Sequence, residues 1–190
     1  HCRFLRWTHA GVWESLFKAL SKEPDFECVL VDATICKAHA DASGAKGGVQ
    51  AHAIGRSKGG LTTKIHAAVD ALGLPIRVAI TPGQWGDCPQ ARGLIEGLEG
   101  VGHMMADAAY DADHLRRFIT HDLGASAQIK QNPSRSIVQP IDWALDKERH
   151  LVECFFNRIK RFRRIALRCE KTLSSFKAFV SLACAMAWLA

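Results

Sequence analysis

An aspartate inside an apolar strand is costly to bury unless a cation offsets its charge, and Asp32 stands in such a run, "VLVDATI". Asp107 repeats the situation in "HMMADAAYDAD", where it follows a short apolar stretch. Glu153 is the third acid in an unexpected place, between Val152 and Cys154, beside the apolar stripe of a helical segment and not opposite it. Two or three carboxylates brought to one point suit a hard cation such as Mg2+, which takes oxygen ligands and is held by few carboxylates plus substrate phosphates. Two such ions can activate a water or a 3′-hydroxyl on one side of a phosphodiester and stabilise the leaving oxygen on the other. Asp32, Asp107 and Glu153 are therefore the candidate catalytic and metal-binding residues, with Mg2+ as the expected cofactor and Mn2+ as its substitute. Each acid also has a plainer explanation taken alone. Asp32 would serve at a strand end as an acceptor of backbone hydrogen bonds, and Glu153 would form a surface pair with Arg149, four residues earlier. Asp111 and Asp113 are rivals to Asp107, but both fall where a helix begins and suit a cap and a first-turn charge.

The cationic residues are unevenly placed. Between Arg149 and Lys171 there are eight Lys or Arg and two Glu, which accounts for the whole formal net charge of +6. A concentrated basic segment is the footprint of a polyanion partner, nucleic acid first and anionic lipid second. Arg158, Lys160, Arg161, Arg163, Arg164 and Arg168 surround Phe162 and Ile165 in "NRIKRFRRIALR" and read as a continuation of the Glu153 helix. A solvated face is the ordinary explanation of such a run, but opposite-sign charges normally intersperse it. Phosphate contacts explain it better. Lys46, Arg56 and Lys58 in the glycine-rich segment are further candidates for DNA contact. Lys160, seven residues after Glu153, shares its helical face with Glu153 and Arg149, and both cations are expected to support the acid. Other motifs fail: "GRSKGGLTT" lacks the order of a phosphate loop, and the nine His occur singly, without H-E-x-x-H. Ser43 and Ser126 lie in no G-x-S-x-G setting.

The elements that must position these residues can be read from periodicity. "RFLRWTHAGVWESLFKALSKE" spaces its apolar residues as one or two amphipathic helices, a lead-in over residues 1–24. "FECVLVDATICKAH" reads as a buried strand. Asp41 to Gly60 holds six Gly and little apolar content, a long flexible loop. "LTTKIHAAVDALGLPIRVAITPG" then forms a hairpin about "DALGLP". Asp87 stands as an N-cap before "CPQARGLIEGLEG"; "VGHMMADAAY" is a short strand, "DADHLRRFITHDLG" a helix capped by Asp111, and "ASAQIKQN" another strand. After the Pro-bounded "PSRSIVQP" comes a long helix from about Trp143 to Phe162, with Val152, Phe155, Ile159 and Phe162 as its buried stripe. A last apolar helix, "SSFKAFVSLACAMAWLA", is too short to span a bilayer and covers the core. Strand, hairpin, helix, strand, helix, strand, long helix is an α/β order, a mixed sheet flanked by helices over residues 25–190, similar to the ribonuclease H-like fold.

The 190 residues fit one domain with a full core. With 48% hydrophobic and 23% charged residues, the composition suggests neither disorder nor a membrane protein. Seven scattered Cys without a C-x-x-C pair argue against a disulfide framework or a cysteine zinc site and suit a reducing cytoplasm. The start lacks a signal-peptide layout and an initiator Met, so a preceding N-terminal part is expected.

"DKERHLVECFFNRIKRFRRIALRCEKTLSSFKAF" resembles the C-terminal signature Y-x-x-R-x-x-x-E-x-x-x-x-x-x-K of bacterial insertion-sequence transposases of the insertion sequence five family, matching at Arg149, Glu153 and Lys160. "VDATICKAH", "AKGG", "AIGRSKGGLTTKIHAAVDALG" and "ADAAYDAD" look like that family's blocks in the same order, so the resemblance covers nearly the whole chain. It implies a DDE transposase with Asp32, Asp107 and Glu153 as catalytic acids and Arg149 and Lys160 as companions of Glu153. It also implies metal-dependent cleavage at transposon ends and strand transfer into target DNA. Double-stranded DNA is the expected partner, bound by a homodimer or higher oligomer, with no membrane involvement and a cytoplasmic, nucleoid-associated location. Two positions depart from the pattern: Asp146 stands where the signature has Tyr, and Ala108 where Lys commonly follows the second acid. A derivative that binds DNA without catalysis would share the same resemblance.

Overall fold

Sequence that is apolar and β-branched on both sides suits a strand covered on both faces, and Cys28–Ala38 forms the central strand β1 of the computed structural model, which describes residues 2–136 and 139–190. Its Cys28, Leu30 and Cys36 join one apolar layer and its Val29 and Val31 the other, as the alternation of a strand requires. The expected loop after β1 carries structure of its own: a 3-10 turn at Ala40–Ala42, the short helix α3 (Gly48–Ala51) and the strand β2 (Gly55–Ser57). β2 turns directly into β3 (Gly60–Val69), which runs antiparallel to β1. The expected hairpin is present between β3 and β4 (Pro75–Pro82). Its turn is closed by Asp70, whose Oδ1 accepts from the backbone of Leu72 and Leu74 at 3.0 and 2.8 Å, while Gly73 supplies a φ of 74°.

On the other side of β1 the strands are parallel. Helix α4 (Cys88–Ile95) carries the chain from the hairpin to β5 (His103–Ala106), which pairs with β1. Helix α5 (Asp113–Arg117), prolonged by a π-helical turn at Phe118–Asp122, leads to β6 (Ser126–Ile129) beside β5. The sheet therefore runs β4–β3–β1–β5–β6, with β2 extending the β4 edge and a short β7 (Leu167–Arg168) pairing with the end of β1 beyond β5. This mixed sheet flanked by helices is the ribonuclease H-like arrangement expected.

The long helix is interrupted. It consists of α6 (Trp143–Glu148), capped by Asp142 through hydrogen bonds from Ala144 and Leu145, and α7 (His150–Lys160), the two meeting at Arg149. The basic segment is not its continuation: α7 stops at Lys160, Phe162 is extended with φ −75° and ψ 110°, and only the short α8 (Arg163–Ala166) follows. This break turns Phe162 outward, 39% exposed, and puts Ile165 into the core where Phe162 was expected. Helix α9 (Leu173–Leu189) is the expected apolar cover. No helix among the described residues is long and apolar enough to cross a membrane.

Two layers bury the sheet. Val152, Phe155, Phe156 and Ile159 of α7, with Phe176, Val180 and Cys184 of α9, pack on the face carrying Leu30 and Cys36. Ala91, Leu94 and Ile95 of α4, with Leu115, Phe118 and Ile119, cover the face of Val29 and Val31. The lead-in forms α1 (Cys2–His9) and α2 (Val12–Leu20), and both lie against α9: Phe17 is buried, and Phe4 stacks on Phe179 with ring centroids 4.4 Å apart. Of the Pro-bounded linker, Ile137 and Val138 lie outside the described residues. Its Arg135 is anchored by Asp111.

Candidate active site

The parallel register sets the first two acids side by side. Val31 of β1 pairs with Ala106, the last residue of β5, and the next residues in each strand are Asp32 and Asp107. Asp32 stays within β1, opposite Ala67 of β3, and its Oδ1 accepts from Ala33 N at 2.7 Å. Burial leaves the side chain 21% exposed. That desolvation pushes the carboxyl up to about 6; the Asp107 charge adds to the rise, while the Ala33 hydrogen bond and Arg149 oppose it. Asp107 ends β5 with φ −80° and ψ 179° and caps the 3-10 turn Ala108–Tyr110, its Oδ1 accepting from Ala109 N at 2.9 Å.

Glu153 comes from the first turn of α7, with a side chain 59% exposed. Arg149 links it to β1. Its Nη2 lies 3.8 Å from Glu153 Oε1, its Nη1 4.0 Å from Asp32 Oδ2 and its Nε 4.0 Å from Asp146 Oδ1. Lys160, at the far end of α7, reaches β1 as well: its Nζ donates to Thr34 Oγ1 at 2.5 Å and to the Ile35 carbonyl at 3.1 Å. Thr34 is two residues beyond Asp32 and on the same face of the strand. Arg149 and Lys160 thus tie both ends of α7 to the strand that carries Asp32.

Oxygen donors of this kind fit a hard divalent cation. The convergence expected of all three acids is nevertheless not what the side chains adopt, because among the described residues no group of three His, Cys, Asp or Glu is gathered closely enough to hold an ion. Asp32 and Asp107 are neighbours, and Glu153 is tied to Asp32 through the Arg149 guanidinium. The guanidinium supplies the local counter-charge to both carboxylates.

Residues 23–188 match the model of the family described as a transposase DDE domain. This chain belongs to that family. A Brucella ovis protein called "Putative transposase for insertion sequence element IS6501" is 68% identical over 129 residues, 68% of this chain and 99% of that protein. "Uncharacterized protein y4sN" of Sinorhizobium fredii is 32% identical over 69 residues, 36% of this chain, and the chain spans about half of that relative's length (48%).

The cations expected to face DNA separate into two groups in this DDE domain. Arg158, Arg161, Arg163, Arg164, Lys46, Arg56 and Lys58 are exposed. Arg164 is already engaged, its Nε 2.5 Å from the buried Glu170 carboxylate and its guanidinium over the Phe179 ring. Arg168 corrects the expectation outright: it is fully buried. Its guanidinium donates to Thr63 Oγ1 and to the carbonyls of His52, Ala53 and Glu170, and it stacks over Phe176. Ala53 has the left-handed φ of 53°, so Arg168 holds a strained segment of the loop against the core.

Two aspartates read as helix caps act differently. Asp87 occupies the N-cap position of α4 but makes no capping bond; it pairs with Lys64 Nζ at 2.9 Å and lies 3.6 Å from His66 Nδ1, and its charge contributes to the raised Asp32 value. Like Asp107 it is an acid that follows a strand run, here in "AITPGQWGD" five residues after β4 ends at Pro82, a signal that could have brought it in. Asp111 leaves the N-cap of α5 to Ala112, and its buried carboxylate accepts from Arg116 Nε at 2.7 Å, Arg135 Nε at 2.9 Å and Asn132 N at 2.8 Å. The single Tyr of the chain, Tyr110, was also missed. Its buried hydroxyl has no hydrogen-bond partner among the described residues, and burial together with the charges of Asp32, Asp87 and Asp107 pushes its pKa far up.

Proposed function

We propose that this DDE domain cleaves DNA at the ends of an insertion sequence of the insertion sequence five family and transfers the ends into target DNA, with Asp32, Asp107 and Glu153 holding Mg2+ or Mn2+. The observation that carries the reading is the strand register that sets Asp32 beside Asp107, with Glu153 tied to the same point through Arg149. Bound there, the divalent cations would supply Lewis acidity at the scissile phosphodiester.

The chain's own residues do the rest. Asp32 and Asp107, fixed by β1 and by the end of β5, offer carboxylates that need no reorganisation of the backbone. Lys160, anchored at Thr34 and Ile35, presents positive charge beside the acid face and contributes to holding the reacting phosphate. The exposed Arg158, Arg161 and Arg163, with Lys46, Arg56 and Lys58 from the loop, bind duplex backbone and set the orientation of the strand to be cut. Two copies acting together would hold two transposon ends at once. The reading implies action on DNA in the cytoplasm, at the nucleoid.

The test is a cleavage and strand-transfer assay on duplexes carrying pre-cut ends of the insertion sequence that encodes the chain. Joined products that require Mg2+ or Mn2+ and vanish in Asp32→Asn and Asp107→Asn support the reading. A second reading, a derivative that binds DNA without catalysis, is favoured by the Arg149 guanidinium lying between Asp32 and Glu153 and by Asp146 at the signature Tyr position. Salt-dependent DNA binding with no cleavage or joining in either metal would decide for it.

A further inference from the structure

Arg149 is shared among carboxylates and committed to none. Its distances of 4.0 Å to Asp32, 3.8 Å to Glu153 and 4.0 Å to Asp146 are ion-pair separations beyond the reach of a hydrogen bond. A small side-chain rotation therefore moves the guanidinium from one partner to another without breaking a directional bond. The three partners differ in setting. Glu153 is 59% exposed, so water screens its attraction, whereas Asp146 is 16% exposed and holds the guanidinium through a less screened field. Asp146 is also fixed in place: it belongs to α6, whose start is capped by Asp142, and Lys130, which directly follows β6, lies 3.9 Å from its other oxygen.

A divalent cation and a guanidinium compete for the same carboxylate oxygens, and each repels the other. Any cation entering between Asp32 and Glu153 must displace Arg149, and the displaced charge needs a counter-ion within reach of its side chain. Asp146 is that group. We infer that Asp146 is a positioning residue that receives the Arg149 guanidinium when metal occupies Asp32, Asp107 and Glu153, and so sets metal affinity without ligating the metal; this rests on the metal-dependent reading above.

The experiment is a Mn2+ titration of the full chain followed by the electron paramagnetic resonance signal of free Mn2+, with the rise in Tm on Mn2+ addition as a second readout. Asp146→Asn should weaken Mn2+ binding by roughly two- to fivefold, the scale of one ion pair of this kind. Asp146→Glu, which keeps the carboxylate, should return affinity toward wild type. Arg149→Gln should bind Mn2+ at least as tightly as wild type, and in that background Asp146→Asn should have no further effect. Asp146→Ser repeats the charge removal with a smaller side chain should the amide disturb packing. An unchanged affinity in Asp146→Asn overturns the inference, as does an equal loss with and without Arg149, which would make Asp146 a ligand or a remote charge. If Asp32→Asn leaves Mn2+ binding intact, the metal-site reading itself is what fails, and the inference falls with it.

Discussion

Replacing the proposed first metal ligand should stabilise the metal-free protein. Burial and the Asp107 charge raise the Asp32 carboxyl from an ordinary 3.8 to about 6, so near neutral pH the fold must carry an ionised group that it disfavours. A difference of about two pH units corresponds to roughly 3 kcal/mol. Because the side chain retains 21% exposure, solvent relieves part of this, and roughly 1–2 kcal/mol is expected for Asp32→Asn at about pH 8. In a chain of this size that raises Tm by about 2–8 °C. The sign with pH follows from the direction of the shift. A carboxyl raised in the folded state contributes stability that is fully present below about pH 4 and lost as pH rises through about 6, whereas the amide resembles the protonated form throughout. The two proteins should therefore have nearly equal stability below about pH 4 and diverge above it. Thermal or urea unfolding in EDTA across this range measures the gap. A variant less stable than wild type at about pH 8, or a gap independent of pH, would refute the claim that Asp32 is an electrostatically strained acid.

The exposed arginines should act through phosphate alone. Arg161→Ala with Arg163→Ala should weaken binding to unrelated duplexes by similar factors and flatten the log–log salt dependence by about one unit for each phosphate no longer neutralised, while Lys160→Ala should reduce joining more than binding; filter binding over a salt series and a strand-transfer assay separate the two. Arg168→Ala should leave the salt slope unchanged but destabilise the fold by about 3–5 kcal/mol, because Thr63 and three backbone carbonyls lose a buried cationic donor; equilibrium unfolding checks the loss.

Asp32 and Asp107 were legible in the sequence because a lone acid in or just after an apolar strand contradicts the burial preference of its neighbours, and that contradiction is local. The hairpin was legible for the same reason, since "DALGLP" carries its own turn chemistry. Arg168 was not, because an arginine inside a basic run looks like the others until the long-range partners Thr63, His52 and Ala53 are known. Asp111 was mistaken for a cap because Arg116 and Arg135, which hold it, become its neighbours only through folding. The break after Lys160 escaped periodicity because apolar residues at Ile159, Phe162 and Ile165 keep helical spacing across the interruption at Arg161 and Phe162 that separates α7 from α8. Arg149 could be paired with Glu153 from their spacing, but its approach to Asp32 depends on how α7 packs against β1.

The most direct measurement is the anomalous diffraction signal of Mn2+ in crystals of the protein grown or soaked with the metal. A peak is expected between the carboxylates of Asp32 and Asp107 at oxygen-ligand distances of roughly 2.0–2.6 Å, with Glu153 drawn toward it and the Arg149 guanidinium moved to Asp146. Saturating Mn2+ that gives no peak at Asp32 and Asp107, with Arg149 still lying between Asp32 and Glu153, would contradict the metal-site reading.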